Sequence, residues 1–254
     1  MTQTPRIALK SVRPIVQYVD SDLAVMDIHL RVAPRGGGTL PQRLEERHVL
    51  IEVQGVEGFF DEQQMPVVFE DGRAMCRIEL VQPQRWWPAG MGDQSLYNLD
   101  VSLVEDDRLI STVTSLVGLT SIRLDAEDGQ AHLLVNGQTF PVQTLVPVDR
   151  VHENGILPAG GDSVMFVRDH YGTDLLYKAA DHAGILLIQC VPMQADQTDE
   201  REVIEQVDRL ASHPCLAGWY VGHLGQMSRK ITQQIKRFDP VHNVFHDLPV
   251  LEAA

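Results

Sequence analysis

The feature that most constrains this chain is a change of hydrophobic rhythm about halfway along it. Up to about residue 122 the apolar residues fall in short alternating runs: RIALKSVRPIVQ, LAVMDIHLRV, HVLIEVQG, MPVVFE, AMCRIELV, LYNLDVSLV and LISTVTSLVGL. Successive side chains of a strand point to opposite faces. Period-two alternation broken by polar or glycine-rich turns therefore predicts antiparallel strands stacked as a sandwich of immunoglobulin type. Helical signals are almost absent there, and the consecutive glycines of APRGGGT favour no regular element and predict a loop.

From about residue 140 the rhythm becomes strand, helix, strand. FPVQTLVPV, DSVMFV, GILLIQCVP, CLAGWYVG and HNVFHDL read as short buried strands, with TDLLYKAADHA, DEREVIEQVDRLASH and SRKITQQIKRF as amphipathic helices among them. Such alternation marks a parallel α/β sheet or barrel. Asp199 and Glu200 open the second of these helices and His213 closes it before Pro214, as the helix macrodipole favours. About four to five strands and about three helices fall well short of the eight units of a closed (β/α) barrel. The predicted architecture is an all-β immunoglobulin-like sandwich over residues 1–123, followed by an α/β partial (half) TIM-type barrel over residues 124–254.

With 44% hydrophobic residues in 254, the chain can bury a substantial core. Its 35 acidic against 21 basic residues give a net charge of −14, which repels a phosphate backbone and excludes nucleic acid as an expected partner. The start, MTQTPRIALKSVRPIVQ, lacks the apolar core of a secretory signal, and GILLIQCV is too short to span a bilayer, so a soluble, cytoplasmic chain is expected. Cys76, Cys190 and Cys215 sit singly inside apolar runs, the pattern of buried free thiols. No HExxH, paired-cysteine, GxxxxGK[ST], GxGxxG or GxSxG pattern is present, so no metal and no cofactor is expected.

Four stretches carry a resemblance to a known family. RWWPAGMGDQSLYNLDVSL (85–103) resembles the segment near the end of the immunoglobulin-like domain of glycoside hydrolase family 2, the β-galactosidases, β-glucuronidases and β-mannosidases. LLVNGQTFPVQ (133–143) is similar to that family's hairpin into the first barrel strand. MFVRDHYGTDLLYKAADHAGILLIQCVP (165–192) resembles its second-strand "R, HYP" motif, the following helix and the third strand. HPCLAGWYVGHLGQM (213–227), followed by FDPVHNVF, is similar to its fourth-strand "HPsi-W-lgNE" and "DP-rpv" segments. The order of the four, more than any one of them, makes the resemblance. It implies a sandwich followed by a (β/α) barrel.

Retaining glycoside hydrolysis needs two carboxyl groups about 5 Å apart. In the family the acid/base is the Glu of "NE" after the fourth strand, and the resemblance puts His223 at the Asn and Leu224 at the Glu. Leucine transfers no proton. The nucleophile belongs to a later strand, which the sequence as given, ending at Ala254, is not expected to reach. Histidine titrates near neutrality and is chemically able to act as an acid, but a histidine without a second carboxylate leaves an oxocarbenium-like centre unsupported. Catalytic residues are therefore expected to be absent. A vestigial sugar pocket is expected from Arg168, Asp169, His170 and Tyr171 after the second strand, with Trp219 and His223 beside it. The motif departs from the family's, being one residue shorter between Arg and His and having Gly172 for its Pro, so a loop pinned by these polar groups is the competing expectation. Trp86 and Trp87 are read as core or interdomain packing.

Unpaired strand edges and barrel-facing apolar side chains without an opposite wall call for a cover. That cover could be the chain's own sandwich domain, a second copy of the chain or a different protein; a partner surface is expected over the open half-barrel, in a free complex or peripherally on a membrane protein. Three functions are carried forward: a structural or interaction subunit that has lost catalysis, a carbohydrate-binding protein, and part of an active glycosidase.

Overall fold

The computed structural model describes residues 7–36, 38–106, 108–127, 130–142, 144–157, 163–193, 199–223 and 225–247. Seven strands form the first half: β1 (Ile7–Val19), β2 (Leu23–Pro34), β3 (Arg47–Gln54), β4 (Phe60–Val67), β5 (Arg73–Val81), β6 (Leu96–Glu105) and β7 (Arg108–Gly118). They pair antiparallel as two sheets, β1-β2-β5 and β4-β3-β6-β7. Every second residue of β2, from Ala24 through Met26 and Ile28 to Leu30, is buried, as are Val49, Ile51 and Val53 of β3 and Leu99, Val101 and Leu103 of β6. The alternation in the sequence is the inward face of a sandwich, with one apolar cluster between the sheets.

A small antiparallel sheet links the halves: β8 (Ile122–Glu127), β9 (Gln130–Val135) and β10 (Gln138–Phe140). Asn136 and Gly137, at φ 50° and 82°, make the tight β9–β10 turn, the left-handed pair that a two-residue hairpin demands.

The second half is a five-stranded, all-parallel sheet: β11 (Thr144–Pro147), β12 (Ser163–Val167), β13 (Leu186–Cys190), β14 (Leu216–Tyr220) and β15 (Asn243–Phe245), in that order. Between them lie the short α1 (Arg150–Glu153), then α2 (Asp174–Ala183), α3 (Glu200–Leu210) and α4 (Gln226–Phe238). The end of HENGILPAGG, after α1, lies outside the described residues. Strands added one after another in the same direction put right-handed crossover helices on one face. Gln189 and Trp219, adjacent in the β13–β14 register, mark that face: one bonds Tyr177 of α2 and the other bonds Asp239 at the end of α4.

The opposite face carries Phe166, Ile188, Tyr220 and Phe245, with Phe166 packed edge-on to Tyr220 at 5.6 Å. This wall is largely buried within the chain. Phe166, Ile188 and Phe245 are only 7%, 2% and 3% exposed, and they share one cluster with Ile122, Leu133, Val135 and Phe140 of the linking sheet. Among the described strands β11 and β15 do not pair with each other, so the sheet is open.

The two halves are joined through Trp86, which is buried in the core of the α/β unit although it belongs in sequence to the sandwich. Its Nε1–H donates to the Asp181 carbonyl of α2 at 2.8 Å, and Asn136 Nδ2 donates to the Trp86 carbonyl at 2.9 Å. Nearby, Ala89 N–H donates to Gly184 O at 2.9 Å. Gly184 ends α2 at φ 70°, and a Cβ there would meet Ala89 N at 2.5 Å. Gly184→Ala is thus expected to cost at least about 2 kcal/mol, combining left-handed strain with a backbone clash. Gly155→Ala, at φ 78° with its nearest neighbour 3.4 Å away, bears the strain alone and is expected to cost about 1 kcal/mol. Urea unfolding of both variants checks the difference.

Candidate functional site

Ligands of parallel α/β sheets bind beyond the carboxyl ends of the strands, so the residues after β11 to β15 are the ones to weigh. After β12 the chain runs through Arg168, Asp169, His170 and Tyr171. Arg168 is exposed, its guanidinium 5.9 Å from the centre of the Phe166 ring. Asp169 is exposed and left-handed at φ 63°. His170 is bound on both ring nitrogens: Nδ1 lies 2.7 Å from Arg168 O and Nε2 lies 2.7 Å from Glu153 Oε1.

Glu153, the last residue of α1, also accepts from Thr173 N–H at 2.9 Å, and its carbonyl accepts from the Thr173 hydroxyl at 2.9 Å. Thr173 in turn caps α2 by accepting from Leu176 N–H. Burial pushes the Glu153 carboxyl up, but the bonds from His170 and Thr173 outweigh it and hold the group below its ordinary value. Glu153, itself held by His170, therefore ties α1 to the start of α2. The loop is thus pinned by a His–Glu contact.

Tyr171 is half-buried against the α/β core, and burial, with Glu202 and Cys190 adding to it, pushes its phenol well up. Beneath the loop sits Gln189, wholly buried. Its Oε1 accepts from Gly172 N–H and Tyr177 O–H, both at 3.0 Å, and its Nε2 donates to His170 O at 2.8 Å. A buried amide with both ends satisfied fixes the loop's path.

Trp219 is a correction. Its ring is fully buried on the helix face of the sheet and its Nε1–H donates to Asp239 Oδ2 at 2.7 Å. It has no free face on which a sugar ring might stack. Asp239 is also wholly buried and lies 2.8 Å from His242 Nδ1.

At the end of β14 His223 projects into solvent, its side chain 89% exposed, with Nδ1 3.0 Å from Asp247 Oδ1 beyond β15. Leu224 lies outside the described residues. His246 packs close by, Nδ1 3.2 Å from Gly222 O. The structure thus gathers Arg168, Asp169, His170 and Tyr171 at one strand end and His223 with Asp247 at two others, and it removes Trp219 from the set. Sequence reasoning missed Glu153, Gln189, Asp239 and Asp247. The one local signal was an amide standing alone inside the apolar run LLIQC.

Among the described residues no group of three or more His, Cys, Asp and Glu side chains is placed to hold a metal. The cysteines are unpaired; burial raises Cys76 to about 11 and pushes Cys215 well up, which disfavours the thiolate at both. No helix among the described residues is long and apolar enough to cross a membrane.

Comparison with known proteins agrees with this architecture. Residues 11–119 match the family model described as "Glycosyl hydrolases family 2". A β-mannosidase A of Aspergillus aculeatus is 32% identical over 58% of this chain, and a β-mannosidase B of Aspergillus clavatus is 27% identical over 60%. The chain's matches span about a fifth of those relatives' length, 20% and 21%. Among solved structures, a glycosyl hydrolase family 2 member from Bacteroides cellulosilyticus superposes with a TM-score of 0.75 at 17% identity, covering 94% of this chain and 36% of that one. A β-D-mannosidase from Dictyoglomus thermophilum superposes with a TM-score of 0.72 at 17% identity, covering 94% and 34%. At such identities the superpositions speak to the fold alone. Sequence and fold agree in likening the chain to glycoside hydrolase family 2, whose model residues 11–119 match.

The buried Asp239 sets a pH dependence. Burial pushes its carboxyl up, yet His242 and the Trp219 N–H outweigh burial and hold it below its ordinary value. A carboxyl depressed by folding adds stability above its unfolded pKa and loses it as pH falls through the folded value, so the loss begins below about pH 4. Asp239→Asn is expected to lower stability at pH 7 by about 1–3 kcal/mol and to flatten the acid limb of the stability profile. Urea melts from neutral to acid pH read both effects.

Proposed function

We propose that the chain is a non-catalytic member of glycoside hydrolase family 2 that serves as a structural or interaction subunit of a larger protein assembly. The end of β14 carries this reading. His223 stands there, exposed and paired with Asp247, and the next residue in the sequence is leucine. Neither offers the carboxyl that protonates a leaving glycosidic oxygen. His170 points the same way, since both of its ring nitrogens are spent on holding the loop.

In this reading the seven-stranded sandwich is immunoglobulin-like, and the sequentially ordered parallel sheet, with its helices on one face, is part of a (β/α) barrel. The outer strands β11 and β15 are where a protein partner or a second copy docks, because an unclosed parallel sheet gains backbone pairing there. A second reading, carbohydrate binding, is favoured by the exposed Arg168 and Asp169 at the strand ends. In that reading the ligand is a β-mannoside, by analogy with the relatives named β-mannosidase.

One panel separates the readings. The purified protein is assayed with nitrophenyl β-mannoside, β-galactoside and β-glucuronide, titrated with mannose and mannobiose by calorimetry, and sized by light scattering. We expect no turnover above the uncatalysed rate, no sugar binding, and association with itself or a partner. Turnover abolished by His223→Ala overturns the proposal, sugar binding without turnover promotes the second reading, and a stable monomer counts against docking at the sheet edges.

A further inference from the structure

Away from the strand ends, on the seam between the sandwich and the α/β unit, lies a cleft of about 210 Å³. Its walls bring together Arg13 of β1, His29 and Arg31 of β2, Arg73 of β5, Asp208 of α3 and Arg237 of α4. In a chain of net charge −14, four guanidiniums here face one carboxylate. We propose that this cleft binds a small oxyanion, a phosphate or sulfate group, either free or carried as a monoester on a small molecule. The proposal is independent of what the end of β14 does.

The charges form a floor and a rim. Arg13 is the floor, its side chain 8% exposed, with Nε 3.2 Å from Asp208 Oδ1 and Nη1 donating to Phe238 O at 2.8 Å. Arg31 Nη1 reaches the other oxygen of the same carboxylate at 3.5 Å. Arg73 and Arg237 form the exposed rim. Among the described residues neither lies within ion-pair distance of a carboxylate, and the Arg237 guanidinium is steadied 5.8 Å over the Phe238 ring.

One carboxylate thus serves two buried or half-buried arginines and leaves two more unmatched. The strain is visible in the neighbours. Burial lowers the pKa of Arg13, with the charge of Arg31 adding to it, against the opposing pull of Asp208 and Asp239. Burial and then the charge of Arg13 likewise lower His29, against Asp27 and Asp208. Asp27 is already taken by Arg77, at 2.6 and 2.9 Å. Glu70 and Asp71 flank Arg73 in an adjoining open depression, where Glu70 lies 3.6 Å from Arg43; they repel an anion on that side and confine it to the inner cleft. A group with several anionic oxygens relieves the repulsion that Asp208 leaves, and guanidinium forks fit such oxygens two at a time.

The site reports on itself through His29. Inorganic phosphate and inorganic sulfate are titrated into the labelled protein at constant ionic strength made up with sodium chloride, following the His29 ring signals by NMR. We expect a saturable shift and a rise in the His29 pKa as an anion offsets Arg13. The double variant Arg73→Gln, Arg237→Gln alters only exposed side chains, so its fold is checked by circular dichroism. It is expected to weaken binding at least about tenfold, the order of one charge-assisted bond lost. A monoester such as glucose 6-phosphate binding more tightly than inorganic phosphate assigns an ester ligand, and equal affinity assigns the free anion; both support the site. An equal response to chloride alone, or unchanged phosphate affinity in the double variant, overturns it.

Discussion

The seam around Trp86 is the constraint on which the rest of the molecule depends. A sandwich and a parallel α/β sheet each bury one apolar interior, and nothing intrinsic to either fixes their relative placement. Here an indole from the sandwich side enters the α/β core and its N–H finds the carbonyl of Asp181. Burying an aromatic ring is favourable while burying its N–H is costly unless a partner is present, so only one placement satisfies both. The Asp181 side chain then lies 2.6 Å from His213 Nδ1 and accepts from Cys215 N–H at 3.2 Å, which carries the constraint to the start of β14.

Beyond that seam the helix face of the sheet is governed by buried polar hubs. Gln189 gathers Gly172, Tyr177 and His170; Asp239 gathers Trp219 and His242. Each hub fixes a loop at a strand end without leaving an unsatisfied group. Of the residues that resemble sugar-pocket groups in the sequence, His170 and Trp219 are occupied with holding the loops, while Arg168, Asp169 and the His223–Asp247 pair face solvent at the strand ends. The charged seam cleft, lined by four arginines and one aspartate, differs in kind, because among the described residues its charges are not matched.

The sandwich was legible in the sequence because its strands are buried on one side only. AMCRIELV alternates as β5 alternates between the core and water. The parallel strands were legible as strands and as an order, but not by face: a segment buried on both sides, such as LAGWY, carries no alternation to say which way Trp219 turns. For the same reason the pattern gave no sign that Phe166, Ile188 and Phe245 would be buried in one cluster with residues of the linking sheet, whose strand β8 pairs with β9 across a stretch of mixed polarity. The partners of His170 were out of reach too. Glu153 comes to it through the placement of a four-residue helix, a tertiary accident of spacing that no local motif announces.

The strand order of the parallel sheet bears on how the chain is put together. Each strand from β12 to β15 lies beside the one that precedes it in the chain, so none has to be inserted between two already in place. On a ribosome, where domains form as the polypeptide emerges, this sheet is able to grow by accretion, one strand and helix at a time. The sandwich has no such freedom: β5 returns to β2 and β6 to β3, so both of its sheets wait for later segments. The slow, non-local step therefore precedes the parallel sheet in synthesis, and the sheet docks onto a template already formed.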